Sequence, residues 1–146
     1  MGLTARLMLV GVLGFTCLIL IGCDGERGLP TKVLHGDVSY DGQKVPTGMV
    51  LFVPVEGTPG PTSVGRIVDG QYRIDARGGV PTGKHRVQVE ARMKTGRQVL
   101  GYNGRETIMV DEEVRMGPEL YADEQSPLTA DIRADSDGTF DIVIPR

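Results

Sequence analysis

Beyond residue 31, the apolar positions of the chain repeat with a period of two almost everywhere. The clearest case is His85 to Met93. Val87, Val89, Ala91 and Met93 fall on one side, and Arg86, Gln88, Glu90 and Arg92 on the other. Successive strand residues point to opposite faces, so this alternation predicts a strand with one face buried and one in water, as in an antiparallel sheet. Leu128 to Ala134 repeats the pattern through Leu128, Ala130, Ile132 and Ala134, and the C-terminal run does so through Phe140, Ile142 and Ile144. Met49 to Val55 is apolar on both faces, which predicts a more central strand. Leu34, Gly36, Val38 and Tyr40 mark a first strand, and Tyr72 with Ile74 a short later one. No stretch of this region has a helical amphipathic pattern.

Turn chemistry falls where these runs end. Asp41-Gly42, Asp69-Gly70 and Asp137-Gly138 are each flanked by strand-like residues. Asp-Gly suits tight hairpins because glycine takes a positive φ without a Cβ clash. Gly78-Gly79-Val80-Pro81-Thr82-Gly83 is a fourth break, with Pro81 fixing φ and Gly83 allowing reversal. About seven short strands with regular turns predict an all-β fold, an antiparallel β-sandwich. Residues 94–127 stand apart. They form a long polar excursion with one short strand-like piece, Thr107 to Val110. Loops of that length are uncommon in compact domains unless they serve a function or pack over a sheet edge.

The N-terminal segment is of another kind. Arg6 precedes an uncharged run from Leu7 to Cys23, which Asp24 ends. A short basic head, an apolar middle and a small-residue exit make the plan of a secretory signal. The run has 17 residues, against the ~20 that a membrane-crossing helix needs; an uncleaved membrane helix is the alternative. Leu20-Ile21-Gly22-Cys23 resembles the lipobox of bacterial lipoproteins. The resemblance implies that residues 1–22 are a lipoprotein signal peptide cut between Gly22 and Cys23. It also implies that the Cys23 thiol carries a diacylglyceryl group, that its new amino group is acylated, and that palmitate and the membrane are therefore its partners. Cys17, followed by Leu18-Ile19-Leu20 with no small residue before it, reads as apolar filler. Residues 24–31 are polar and rich in breakers, a flexible tether to a domain at 32–146.

Composition narrows the function classes. A net charge of -3 argues against a nucleic-acid partner held through phosphates. With no Trp and 5% aromatics, a stacking platform for sugars or bases is hard to assemble. Both cysteines lie in the leader region, so the domain has neither a disulfide nor a thiolate metal site. The 21 glycines and nine prolines fit a loop-rich globular domain.

Gly36-Asp37-Val38-Ser39-Tyr40-Asp41-Gly42-Gln43-Lys44-Val45-Pro46 resembles the opening of carboxypeptidase-regulatory-like domains. Asp69 to Ile74, followed by Val80 to Val87, resembles their middle hairpin and Pro-x-Gly corner. The likeness covers about half of residues 32–146 and implies a transthyretin-like, or prealbumin-like, sandwich. Such domains assist folding, adhesion or assembly and carry no chemistry of their own. One transthyretin-related branch hydrolyses 5-hydroxyisourate through a His/Arg constellation and a C-terminal Tyr-Arg-Gly-Ser. Here the chain ends Ile142-Val143-Ile144-Pro145-Arg146, and that motif is absent.

The remaining candidates are few. His35 and His85, the only histidines, read as surface residues without a role, because no spaced ligand motif joins them. Asp135-Ser136-Asp137-Gly138 with Asp141 has some carboxylates of a calcium loop but lacks the closing bidentate Glu; a hairpin turn explains the same residues. Asp111, Glu112 and Glu113 form an acidic cluster that is either a solvated face or a contact for a basic partner. None of Ser39, Ser63, Ser126 or Ser136 lies in a nucleophile elbow, and no phosphate loop follows a strand. The expectation is a non-enzymatic, lipid-anchored module of the cell envelope, without cofactor, that presents a sheet edge or the 94–127 segment to another envelope protein. The alternatives are a small-ligand or carbohydrate-binding module and, further off, a transthyretin-related hydrolase.

Overall fold

The computed structural model describes residues 28–146; the leader, Gly22 and Cys23 lie outside the described residues. The described chain is all-β. Its strands are β1 (Thr31–Lys32), β2 (Leu34–Tyr40), β3 (Gln43–Lys44), β4 (Thr47–Pro54), β5 (Ser63–Val68), β6 (Gln71–Ile74), β7 (Val80–Pro81), β8 (Gly83–Tyr102), β9 (Thr107–Arg115), β10 (Thr129–Ile132) and β11 (Ile142–Ile144). Seven of them follow one hydrogen-bonded path, β10-β8-β4-β5-β6-β2-β11; β9 pairs with β8, β3 with β2, and β1 with β7 in a separate two-stranded ladder. The expected sandwich is thus one sheet curled over its own core.

Alternation decides what that core contains. Val87, Val89 and Ala91 of β8 are buried together with Val50 and Phe52 of β4, Ile67 of β5, Tyr72 and Ile74 of β6, and Leu34 and Val38 of β2. Ala130 and Ile132 from one end of the path meet Ile142 and Ile144 from the other in the same cluster. Phe52 sits at the centre, its ring 5.8 Å from that of Phe140, 6.2 Å from Tyr72 and 6.3 Å from the His85 imidazole. As its two-sided apolarity predicts, β4 is central, paired with β8 along its whole length and with β5 from Thr47 to Phe52. Gly48 in β4 has φ of 153°, and a Cβ there would overlap the Glu90 carbonyl oxygen, so close pairing of β4 with β8 needs glycine.

Two of the three Asp-Gly pairs make two-residue hairpins. Asp41-Gly42 (φ 49° and 77°) joins β2 to β3, and Asp69-Gly70 (φ 50° and 80°) joins β5 to β6. Positive φ at both positions is the signature of the type I′ turn. The third, Asp137-Gly138, is not a hairpin. β10 pairs antiparallel with β8, whereas β11 pairs parallel with β2, so the chain between them crosses from one end of the sheet to the other. Gly138 sits within that crossover, its carbonyl accepting the His35 N–H at 2.9 Å.

The 94–127 segment also differs from the expected long loop. β8 continues through Tyr102, and β9 returns beside it in register from Thr107↔Tyr102 to Arg115↔Arg92, with an irregularity between Lys94 and Gln98. Residues 94–115 therefore form a two-stranded arm. Residues 116–127 fold back onto the body. Met116 and Tyr121 pack on the core, the Met116 N–H donates to the Ala91 carbonyl at 2.8 Å, and the buried Ser126 hydroxyl donates to the Val87 carbonyl at 2.6 Å. No helix of the described residues is long and apolar enough to cross a membrane.

His85 is a third correction. It is wholly buried, not a surface residue, because it shares parity with Val87, Val89 and Ala91 on the core face of β8. Its Nδ1 lies 3.0 Å from the Gly83 carbonyl oxygen, while Nε2 has no hydrogen-bond partner among the described residues. Burial pushes its pKa below the ordinary 6.5, opposed in part by the Gly83 bond. The folded protein thus holds the neutral ring, with Nδ1–H donating to Gly83. Below pH 6.5 the unfolded chain binds a proton that the folded chain refuses, so stability falls as pH drops, by at most about 1.4 kcal/mol per pH unit. Urea midpoints should decline between pH 7 and pH 5.5, and His85→Phe should flatten that decline. An equal slope in the variant would assign the effect to other groups.

Candidate functional site

Two features of the described surface carry functional potential: the arm, and a depression on the outer face of the sheet. The arm begins where β8 outruns β4, whose last partner on it is Arg92. At about 3.3 Å per residue, the 20 residues of β8 span roughly 65 Å. The other end of β8 lies where the described chain begins, since the Thr82 N–H donates to the Pro30 carbonyl at 2.9 Å. The arm tip is therefore at the far end of the longest strand from the point where residues 1–27 attach.

The arm exposes apolar side chains on both faces. Leu100 and Tyr102 are 74% and 72% exposed and lie on one face with Met109; Val99 shares the other with Ile108, Val110 and Val114. Five of the twelve large exposed hydrophobic residues of the described chain are on this hairpin. An isolated two-stranded hairpin is at best marginally stable in water, and contiguous exposed apolar surface marks interaction sites. Among the described residues, the edge of β8 away from β9 has no strand partner along residues 94–102, and neither does the outer edge of β9.

The acidic cluster falls on this arm. Asp111 pairs with Lys94 at 2.7 Å, and Glu112 is held by Arg97 at 2.8 Å and by the Thr95 hydroxyl at 2.6 Å. Lys94 holds the Asp111 carboxyl below its ordinary pKa. Two of the three carboxylates are thus engaged by cations of the opposite strand, and Glu113 lines a small outer hollow with Arg92 and Arg66. These exposed pairs fix the arm's register more than its stability. The cluster is consequently part of an internally neutralised ribbon, and the arm's free chemistry is apolar.

The outer-face depression, of about 790 Å³, lies over β2, β5 and β6 and is bordered by the crossover to β11. Its floor is polar: His35, Asp37, Arg66, Gln71, Arg73 and Asp141. The Tyr72 hydroxyl donates to the Phe140 carbonyl at 2.7 Å, and burial, with Asp141 nearby, pushes its pKa up, so it stays protonated. The exposed His35 is here, its Nε2 3.4 Å from the Thr139 hydroxyl. His35 and His85 are on opposite faces of the sheet and do not converge. Among the described residues no group of three or more His, Cys, Asp or Glu could hold a metal ion. Asp135 turns toward Arg133 (3.2 Å), and Asp137 accepts the Thr139 N–H at 2.8 Å.

An apolar groove of about 520 Å³ flanks the start of the described chain, lined by Leu29, Pro61, Val64, Ile74 and Pro81 among others. Gly22 and Cys23 lie outside the described residues. No protein-family model matches the chain, and no curated protein or solved structure is significantly similar to it.

Proposed function

We propose that the protein is a lipid-anchored, non-enzymatic module of a bacterial cell envelope that holds a protein partner with its β-hairpin arm. The observation that carries this reading is the arm itself: paired only to itself, open at its edges, and apolar on both faces at residues 99–102 and 107–110. The lipobox-like Leu20-Ile21-Gly22-Cys23 supports the anchor. With Cys23 acylated, the body hangs by a seven-residue link to Pro30, and the arm points away from its attachment. Strand addition to a free edge supplies main-chain hydrogen bonds, while the alternating apolar side chains select the partner.

Lys94 and Glu113 are register partners, so replacing residues 95–112 by Asn-Gly closes β8 on β9 with a two-residue turn. This shortened chain should melt cooperatively, because the deleted residues contribute nothing to the core cluster. Crosslinking in intact cells should capture a protein on the natural chain and not on the shortened one. Equal capture by both would remove the arm from the reading. A shortened chain that fails to fold would instead make the arm structural.

A further inference from the structure

We infer that the depression over β2, β5 and β6 is a binding site for an anionic saccharide, a sugar bearing a carboxylate or phosphate. The register carries the argument. β5 pairs with β6 through Ile67↔Tyr72, which brings Arg66 level with Arg73; β6 pairs with β2 through Arg73↔His35, and His35 bridges to Thr139. Arg66, Arg73 and His35 thus stand side by side in one row across three strands, all exposed and all lining the depression. Like charges directly opposite one another in a sheet are destabilising. Arg73 is countered by Asp75 at 3.0 Å, yet Arg66 has no ion-pair partner among the described residues. Two arginines level on adjacent strands, both lining the depression and one without an ion pair, offer guanidinium donors to a carboxylate or phosphate.

The neighbouring row defines the rest of the ligand. Two residues further along each strand, about 7 Å away, stand Val68, Gln71 and Asp37, with Asp141 beside them; Asp69 is at the rim. Asp141 Oδ1 accepts the Asp37 N–H at 2.9 Å, which leaves its second oxygen free for another donor, and Lys44 stands 3.9 Å from Asp37. Carboxylates and an amide are acceptors for hydroxyl groups. They repel a bare anion, and a neutral sugar makes no use of the arginines. A polynucleotide would bring its run of phosphates against the three carboxylates. A molecule with one anionic group and several hydroxyls about 7 Å away satisfies both rows at once.

The test uses the full chain in detergent, titrated calorimetrically with oligogalacturonate, glucose 6-phosphate, a neutral oligosaccharide of equal length, and inorganic phosphate. Binding of at least one anionic sugar, at least tenfold tighter than both the neutral sugar and inorganic phosphate, is expected; which of the two binds identifies the anionic group. Arg66→Gln and Arg73→Gln should each weaken it tenfold or more at unchanged melting temperature. Asp37→Asn should weaken the sugar without weakening inorganic phosphate, and Arg105→Gln on the arm should change nothing. The inference is overturned by equal affinity for phosphate and sugar, by affinity indifferent to Arg66 and Arg73, or by no binding at millimolar concentrations. The arm-shortened chain should bind the sugar as the natural chain does, so this result and the partner-capture result stand or fall separately.

Discussion

Phe52→Ala is expected to lower the unfolding free energy by about 3–5 kcal/mol, the range for deleting a fully buried aromatic ring. The ring is 0% exposed and touches three others, from β6, β8 and the crossover before β11. No neighbouring strand can move in to close the space, because β4 is held on both sides by its ladders. Urea denaturation of residues 28–146 at pH 7 should show a reduced midpoint with an unchanged slope. Leu100→Ala, on the arm, should stay within about 0.5 kcal/mol of the parent, as surface substitutions do. A Phe52→Ala loss under 1 kcal/mol would mean that the two ends of the sheet do not meet around this ring.

Cys23→Ala is expected to abolish labelling with palmitate and to leave the uncut precursor, an all-or-none effect that follows from the proposed anchor. The thiol is the only side-chain group at that position able to form the thioether that carries the diacylglyceryl group. A single acyl chain binds only marginally and reversibly, at about 0.8 kcal/mol per buried methylene, whereas two or more hold stably. Cys17→Ala should label and mature normally. Metabolic labelling followed by mass spectrometry of the N-terminal peptide reads both variants. Labelling that persists in Cys23→Ala would move the anchor elsewhere or remove it.

The strands and two of the turns were legible in the sequence because their causes are local. Val87, Val89 and Ala91 alternate with charged residues since one face of β8 is wet, and Asp41-Gly42 and Asp69-Gly70 connect adjacent strands. Asp137-Gly138 has the same local chemistry, but β11 finds its partner about a hundred residues upstream, and no neighbouring residue announces that. The arm escaped because Lys94-Thr95-Gly96-Arg97 breaks the period at the register irregularity, and beyond it both faces are apolar. His85 was within reach: it is two residues before Val87, on the same parity. The Arg66–Arg73–His35 row was not, because it exists only once three strands are placed in register.

The parallel union of β2 with β11 has a consequence for how the chain is made. Ile142 and Ile144 complete a core whose first member is Leu34. The sheet therefore cannot close until Ile144 has left the ribosome or a translocation channel. Until then, the β11 flank of β2 is empty. Whatever carries the nascent chain must tolerate an incomplete body over more than a hundred residues of synthesis, and a product that stops before Ile142 would have its interior open.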